Sequence, residues 1–254
     1  MEIIKNIREN NPLIHCITNT VTINDCANAL LAIGARPVMA EHPGEVAEFT
    51  AAADALLINM GTITASKIEA MRISVGTAKE KGIPYVLDCV GAMSSSVRKA
   101  LISELIKINT PALIKGNASE IEAVMGGRSK ASGVDSDEQT DYNGAIEAAR
   151  RLGTVIMVTG ASDFITDGTQ SAVILNGTPT LSCVTGTGCM LGCIAAALAA
   201  ENKPFTAAKY SAAIMGICGE RADNGCGTGT FRVRLMDELS LITDEIITRN
   251  IKEQ

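Results

Sequence analysis

Residues Val184–Gly192 read V-T-G-T-G-C-M-L-G, a spacing that sets an anion site beside a thiol. Thr185, Gly186, Thr187 and Gly188 are small, so their backbone can approach a ligand closely. The Ala-rich run from Cys189 to Ala200 reads as a buried helix. The glycines therefore stand at a helix start, where amide N–H groups are free and the dipole is positive. Such a position binds phosphate. Cys189 lies in the first turn, where the same dipole favours its thiolate. The combination points to chemistry on a phosphorylated ligand; a tight turn beside a packed cysteine has the same local spacing.

Other polar residues close apolar runs. Asp88 ends V-L-D, Lys115-Gly116-Asn117-Ala118-Ser119-Glu120 follows the next run, and Thr159-Gly160 ends another. Asp88 and Glu120 are oxygen donors suited to Mg²⁺, directly or through water. The structural alternatives are a helix cap for Asp88 and first-turn dipole complementation for Glu120. Lys115 suits a nucleotide phosphate or a solvated strand end, and Thr159 suits a nucleotide or an ordinary strand-end hydroxyl. Asn19 in I-T-N-T-V-T and Met39 in P-V-M-A could line a pocket for a small organic ligand, or serve as turn and core residues. His15 reads as a satisfied core histidine, and His42 beside Pro43 carries no specific signal. Gly227-Thr228-Gly229-Thr230-Phe231 is a second Gly/Thr turn, suited to closing over a ligand or capping the last helix.

The elements that must position these residues alternate along the chain. Leu13–Thr18, Pro37–Ala40, Ala55–Asn59, Pro84–Asp88, Ala112–Lys115 and Thr154–Thr159 read as strands buried on both faces, since they lack two-residue alternation. Helices are expected over Thr22–Ile33, Gly44–Ala53, Ala65–Lys81, Ser94–Ile106, Ala118–Met125 and Asp141–Leu152, with Gly34, Gly82 and Gly153 as stop signals. This is a βα repeat feeding a mainly parallel sheet, and in such sheets ligands gather at the carboxyl ends of the strands. Asp167-Gly168 and Asn176-Gly177 then mark hairpin turns among Phe164–Thr166, Ser171–Leu175 and Thr180–Val184, an antiparallel edge. Gly188–Ala200, Thr206–Asn224 and Arg232–Arg249 close the chain as helices, and Met1–Asn11 is a short polar-apolar alternation. Gly126–Thr140 reads as a polar loop, a surface loop or a lid. No internal repeat or linker divides the chain, so one domain over 1–254 is expected.

Composition narrows the function classes. With 46% hydrophobic and 20% charged residues, the 254-residue chain is globular. A net charge of −6 with scattered basic residues argues against a nucleic-acid surface, and 3% aromatics against base stacking. No apolar run approaches the roughly 20 residues of a membrane span, and no signal peptide is read, so a cytoplasmic location is expected. Eight cysteines without a C-x-x-C pair, and only two histidines, do not suit a zinc or iron–sulfur site; most of the cysteines read as small buried hydrophobes.

The blocks H-C-I-T-N-T-V-T, A-N-A-L-L-A-I-G-A-R-P-V-M-A, L-L-I-N-M-G-T, I-K-G-N-A-S-E-I, V-T-G-T-G-C-M-L and G-T-G-T-F occur in this order over nearly the whole chain. Taken together they resemble the hydroxyethylthiazole kinases of the ribokinase-like superfamily. The resemblance implies an α/β three-layer ribokinase-like fold, with a mainly parallel central sheet and an antiparallel edge. It implies a homotrimer with active sites at subunit boundaries, ATP as co-substrate with Mg²⁺, and phosphorylation of the hydroxyethyl group of 4-methyl-5-(2-hydroxyethyl)thiazole in thiamine salvage. By position, Met39 and Gly186 match substrate-contacting residues, with Asn19 and Val21 near the thiazole. Lys115 and Thr159 match nucleotide-contacting residues, Asp88 and Glu120 the metal and phosphate region, and Cys189 the position where related kinases carry an aspartate base. The chain departs from the family pattern at Cys89, where proline is common, at Lys115, usually arginine, and at Ala161, commonly acidic. A lysine is a point charge without the planar two-pronged contact of arginine.

The expected chemistry is in-line transfer of a phosphoryl group to the alcohol, with some Cys189 thiolate present at neutral pH to accept its proton. A kinase of another small alcohol, a hydroxymethylpyrimidine or a sugar, belongs to the same superfamily; Val21 and Met39 favour a flat, weakly polar ring over a sugar. Covalent acyl transfer by Cys189 wants a base beside the thiol, which two poorly placed histidines do not supply. A non-catalytic thiazole- or anion-binding sensor would bind saturably without releasing ADP.

Overall fold

The computed structural model describes residues 2–126, 142–225 and 227–254. A first helix, α1 (Ile3–Asn10), precedes the alternation β1 (Leu13–Ile17), α2 (Ile23–Ile33), β2 (Arg36–Val38), α3 (Val46–Ala52), β3 (Ala55–Asn59), α4 (Ala65–Lys81) and β4 (Tyr85–Asp88). It continues with α5 (Ser96–Ile108), β5 (Leu113–Asn117), α6 (Ala118–Met125), α7 (Asn143–Leu152) and β6 (Val155–Thr159). Two more strands, β7 (Asp163–Thr166) and β8 (Ser171–Ile174), lead through a 3₁₀ turn at Pro179–Cys183 to α8 (Thr187–Glu201), α9 (Pro204–Ala222), α10 (Thr228–Leu241) and α11 (Asp244–Asn250).

The strands form one eight-stranded sheet in the order β2-β1-β3-β4-β5-β6-β7-β8. The first six are parallel, and β7 and β8 run antiparallel at the edge. Every residue of β3 and β4 is buried, as apolar runs without alternation require. Ile14, Cys16, Leu57 and Val86 point into one core with α1, α2 and α8 to α11. Ile17, Leu56, Ile58 and Leu87 point into the other, with the apolar faces of α4 to α7. Local signals set the helix ends. Thr64 and Ser95 cap α4 and α5 by accepting Lys67 and Arg98 N–H, and Gly34, Gly82 and Gly153 close their helices in the left-handed conformation.

Several expectations are corrected. Thr180–Val184 is not a third antiparallel strand: Pro179 lacks a ladder donor and Thr178 Oγ1 accepts Thr180 N–H, so Pro179–Cys183 coils as a 3₁₀ turn. The C-terminus takes that place beside β8, where Val173 and Gln254 exchange both backbone hydrogen bonds at 3.0 Å. Asn176-Gly177 is therefore no hairpin turn; Asn176 Oδ1 instead accepts Lys252 N–H at 2.8 Å. The N-terminal alternation is a helix whose Ile3, Ile4 and Ile7 are buried. The closing helix divides into α10 and α11, because Thr243 caps a new helix by accepting Ile246 N–H. The first turn of α10 begins at Thr228, so the second Gly/Thr turn is a helix start. The polar loop and the beginning of the Asp141–Leu152 helix fall outside the described residues, apart from Gly126, which ends α6.

The chain builds β2 on one side of β1 and β3 on the other, so strand order reverses between β1 and β3. All six parallel strands end on one rim, and ligand crevices open there at such a reversal.

Candidate active site

Pairing register places three polar residues in a row on this rim. Asn59 of β3 faces Asp88 of β4, and Asp88 faces Lys115 of β5. Lys115 Nζ lies 3.1 Å from Asp88 Oδ1, and Asn59 Nδ2 donates to Asp88 Oδ2 at 2.9 Å. Asp88 is fully buried and Lys115 is 4% exposed. Burial pushes the Asp88 carboxyl up, against the pull of Lys115. Burial would lower the Lys115 ammonium, but the Asp88 attraction outweighs it and holds the group above its ordinary value. Lys115 is thus no solvated strand-end charge, and Asp88 is no helix cap.

Helix α8 lies over this row. A Cβ on Gly192 would stand 3.2 Å from Asp88 Oδ2, and one on Gly188 3.4 Å from Lys115 Nζ, so the small residues let the helix settle onto the ion pair. Gly186 caps α8 with φ of +98°, a conformation that strains any residue with a Cβ. The expected outcome of Gly186→Ala is a loss of roughly 1–2 kcal/mol from the left-handed backbone alone. A Cβ there would also lie 2.6 Å from Thr22 Cγ2, so turnover falls as well. Urea unfolding and a rate assay check both.

Cys189 occupies the first turn of α8 and is 8% exposed. Asn19 Nδ2 donates to its Sγ at 3.1 Å. Thr22 N–H and Oγ1 donate to Asn19 Oδ1 at 3.1 and 3.0 Å. The expected thiolate is corrected: burial and the Asp88 charge push the Cys189 thiol up, and Thr22 and Lys115 only partly offset them. The resting group at neutral pH is a thiol.

Glu120 sits at the start of α6. Its Oε1 accepts Gly91 N–H at 2.8 Å and its Oε2 accepts Asn117 N–H at 2.9 Å, while Asn117 Oδ1 accepts Glu120 N–H. It completes a capping box and ties the loop after β4 to the end of β5. As for a metal, the Asp88 and Glu120 oxygens each accept one hydrogen bond and keep a second lone pair. Among the described residues no cluster of three or more His, Cys, Asp or Glu could hold an ion. Mg²⁺ keeps most of its ligands as water and phosphate oxygen, so it would ask for no more than one or two such carboxylates.

Beside the helix start opens a cavity of about 550 Å³, with Thr159, Gly160, Asp163, Thr187 and Gly188 near its polar part and Leu181 and Met215 among its apolar lining. Asp163 was not singled out from the sequence; its Oδ1 accepts Gly160 N–H at 3.0 Å. Burial pushes its carboxyl up to about 6. It is therefore neutral below that pH and anionic above it. The anion would repel a nucleotide triphosphate bound in this cavity, and the KM for ATP would then rise as pH increases through about 6. Asp163→Asn flattens that rise in a pH series of initial rates. The sign for stability agrees: the folded state holds this proton more tightly than the unfolded chain, so the contribution is present at low pH and lost as pH rises through about 6.

Of the residues expected at the site, Asn19, Gly186 and Cys189 come together, Asp88 and Lys115 lie beneath them, and Thr159 lines the cavity. Met39 follows β2 partly buried against the core, and Val21 is 67% exposed. His15 is the satisfied core histidine expected, with Nδ1 2.8 Å from Thr50 Oγ1 and Nε2 2.9 Å from the Ala40 carbonyl. Of the seven described cysteines, only Cys183 is exposed, and all are free thiols. Sequence reasoning missed Asn59 and Thr22. Asn59 ends L-L-I-N as Asp88 ends V-L-D, a signal of equal strength.

Residues 4–245 match the sequence model of the hydroxyethylthiazole kinase family. The chain belongs to the hydroxyethylthiazole kinase family. It is 43% identical to a hydroxyethylthiazole kinase 2 of Clostridium botulinum, with 99% of this chain and 98% of that protein covered. It is 42% identical to a hydroxyethylthiazole kinase of Clostridium perfringens over the same shares. The solved hydroxyethylthiazole kinase protein of Pyrococcus horikoshii superposes with a TM-score of 0.91 at 36% identity, covering 99% of this chain and 96% of that one. A ribokinase-like superfamily protein of Enterococcus faecalis superposes with a TM-score of 0.65 at 13% identity, so the fold is the ribokinase-like three-layer arrangement expected, and the family makes the protein a kinase. Among the described residues no helix is long and apolar enough to cross a membrane.

Proposed function

We propose that this protein transfers the γ-phosphoryl group of ATP to the hydroxyethyl group of 4-methyl-5-(2-hydroxyethyl)thiazole. The whole chain, 1–254, acts as one domain. The observation that carries the reading is the Asp88–Lys115 ion pair directly beneath the first turn of α8, with Cys189 on that turn.

The cavity beside the helix start is the proposed nucleotide site, with Thr159 at the nucleotide and Lys115 directed to its phosphates. One Lys115 donor is engaged by Asp88, which leaves two for phosphate oxygens. The backbone amides at Gly186–Gly188 receive the transferring group. Asp88 and Glu120 would hold Mg²⁺, largely through water; a bound Mg²⁺ supplies charge neutralisation of the phosphates. Cys189 orients the acceptor hydroxyl and takes its proton. Because the transition state of phosphoryl transfer is loose, that proton need not leave early, which suits a thiol whose thiolate is scarce at rest.

Met39, Gly186, Asn19 and Val21 are the proposed surroundings of the thiazole. The exposed Val21, Leu31 and Val233, at 67%, 57% and 63%, suit burial at a subunit boundary, and the proposed assembly is a homotrimer with sites at such boundaries. Free thiols suit a cytoplasmic location. The deciding experiment is ADP release with Mg²⁺ across thiazole, pyrimidine and sugar alcohols. Turnover confined to the thiazole alcohol supports the reading, and preference for either other class overturns it.

A further inference from the structure

Asn59 has no exposed surface, and none of the roles above uses it. Its amide has one orientation. Gly61 N–H donates to Oδ1 at 2.9 Å, so Nδ2 turns to Asp88 and donates to Oδ2 at 2.9 Å. The same Oδ1 accepts Asn19 Nδ2 at 3.5 Å, a long contact. Packing adds to it: a Cβ on Gly61 would lie 2.8 Å from Asn19 Cβ, so the backbone that Asn59 anchors bears directly on Asn19. Asn19 is oriented in turn by Thr22, whose N–H and hydroxyl occupy its Oδ1 and leave Nδ2 for the Cys189 sulfur. A continuous path results, Asp88 to Asn59 to Asn19 to Cys189, across four segments far apart in sequence.

We propose that Asn59 is a positioning residue that fixes, through Asn19, where the Cys189 sulfur stands relative to Asp88. With no exposed surface, it is assigned no contact with either reactant. A base works only within hydrogen-bond reach of the proton it takes, and a misplacement of about 1 Å costs about 10²-fold. The arrangement also gives Asn19 a task other than contact with the thiazole, since both ends of its amide are engaged within the protein. This inference rests on Cys189 being the group that takes the acceptor's proton.

The experiment is a kinetic cycle on the full chain with ATP, Mg²⁺ and the thiazole alcohol. The first arm measures wild type and Cys189→Ala alone. Wild-type turnover with a large loss in Cys189→Ala upholds the reading beneath the inference; an inactive wild type or a fully active Cys189→Ala sinks that reading instead. The second arm adds Asn59→Ala in both backgrounds, with thermal unfolding as a fold control. In the wild-type background kcat is expected to fall about 10²-fold while both KM values stay within about twofold. In the Cys189→Ala background the further loss shrinks by at least about tenfold, because the group being positioned is gone. Equal losses in the two backgrounds overturn the proposal, as a residue that only supports the fold or Asp88 would behave so. Asn19→Asp serves if Asn59→Ala does not fold. It keeps the shape of Asn19 and turns the donor facing the sulfur into an acceptor. A drop in kcat larger than any rise in the KM for the alcohol supports positioning; a raised KM at unchanged kcat leaves Asn19 with substrate binding alone and overturns the proposed path.

Discussion

Replacing Cys189 by alanine is expected to lower kcat about 10²–10⁴-fold and to leave the KM for ATP near wild type. That range is the usual contribution of a positioned general base, and it corresponds to about 2.7–5.4 kcal/mol of transition-state stabilisation. ATP binding is expected to survive because Cys189 is not among the residues lining the proposed nucleotide cavity, and its sulfur is held from Asn19. Cys189→Asp is expected to keep turnover. The thiol is pushed up by burial and by Asp88, so little thiolate is present at pH 7. A carboxylate is a weaker base, but its ordinary pKa lies well below that of a thiol, so the same burial and Asp88 charge leave more of it ionised, and the start of a helix favours it. Steady-state rates with thiazole alcohol and ATP for the three proteins check both statements. An alanine variant with wild-type kcat would remove Cys189 from the mechanism.

Asp88→Asn is expected to be the most destabilising single change at the site, at about 3–5 kcal/mol. It leaves the Lys115 ammonium 4% exposed with no opposing charge. For a chain of this length that corresponds to a fall in Tm of roughly 6–20 °C. The converse change, Lys115→Met, is milder. Burial already pushes the Asp88 carboxyl up, so it can take a proton and avoid an uncompensated buried charge. The double variant recovers much of the loss, because exchanging a whole buried pair for uncharged groups is often neutral. Urea unfolding of the four proteins tests the order. Equal losses from the two single variants would show that the charges do not depend on each other in this way.

Legibility differed between local and long-range features. Five of the six apolar runs that became the parallel strands are plain in sequence, because a strand buried on both faces has no polar alternation to disguise it; the sixth, expected to be buried as well, is the edge strand β2 and is only half-buried, with Arg36 exposed. Helix ends at Gly34, Gly82 and Gly153 were equally plain, since left-handed closure selects glycine. The closing segments were harder to place. Asn176-Gly177 has a hairpin composition, yet Asn176 is bound to Lys252, which brings the C-terminus to β8. Nothing within a local window carries that pairing.

The same division runs through the site. Residue types and order alone placed Gly186 and Cys189 at a helix start and Asp88 and Lys115 at strand ends, because helix dipoles and parallel strands impose those positions locally. Only the tertiary structure decided that Lys115 is spent first on Asp88, that Glu120 is engaged by two backbone amides, and that the Cys189 thiol is pushed up. The reason is that desolvation and charge pairing depend on what lies a few ångströms away in space. Here those neighbours come from β1, β3, β4, β5 and α8, which the chain brings together only when the sheet closes beneath the helix.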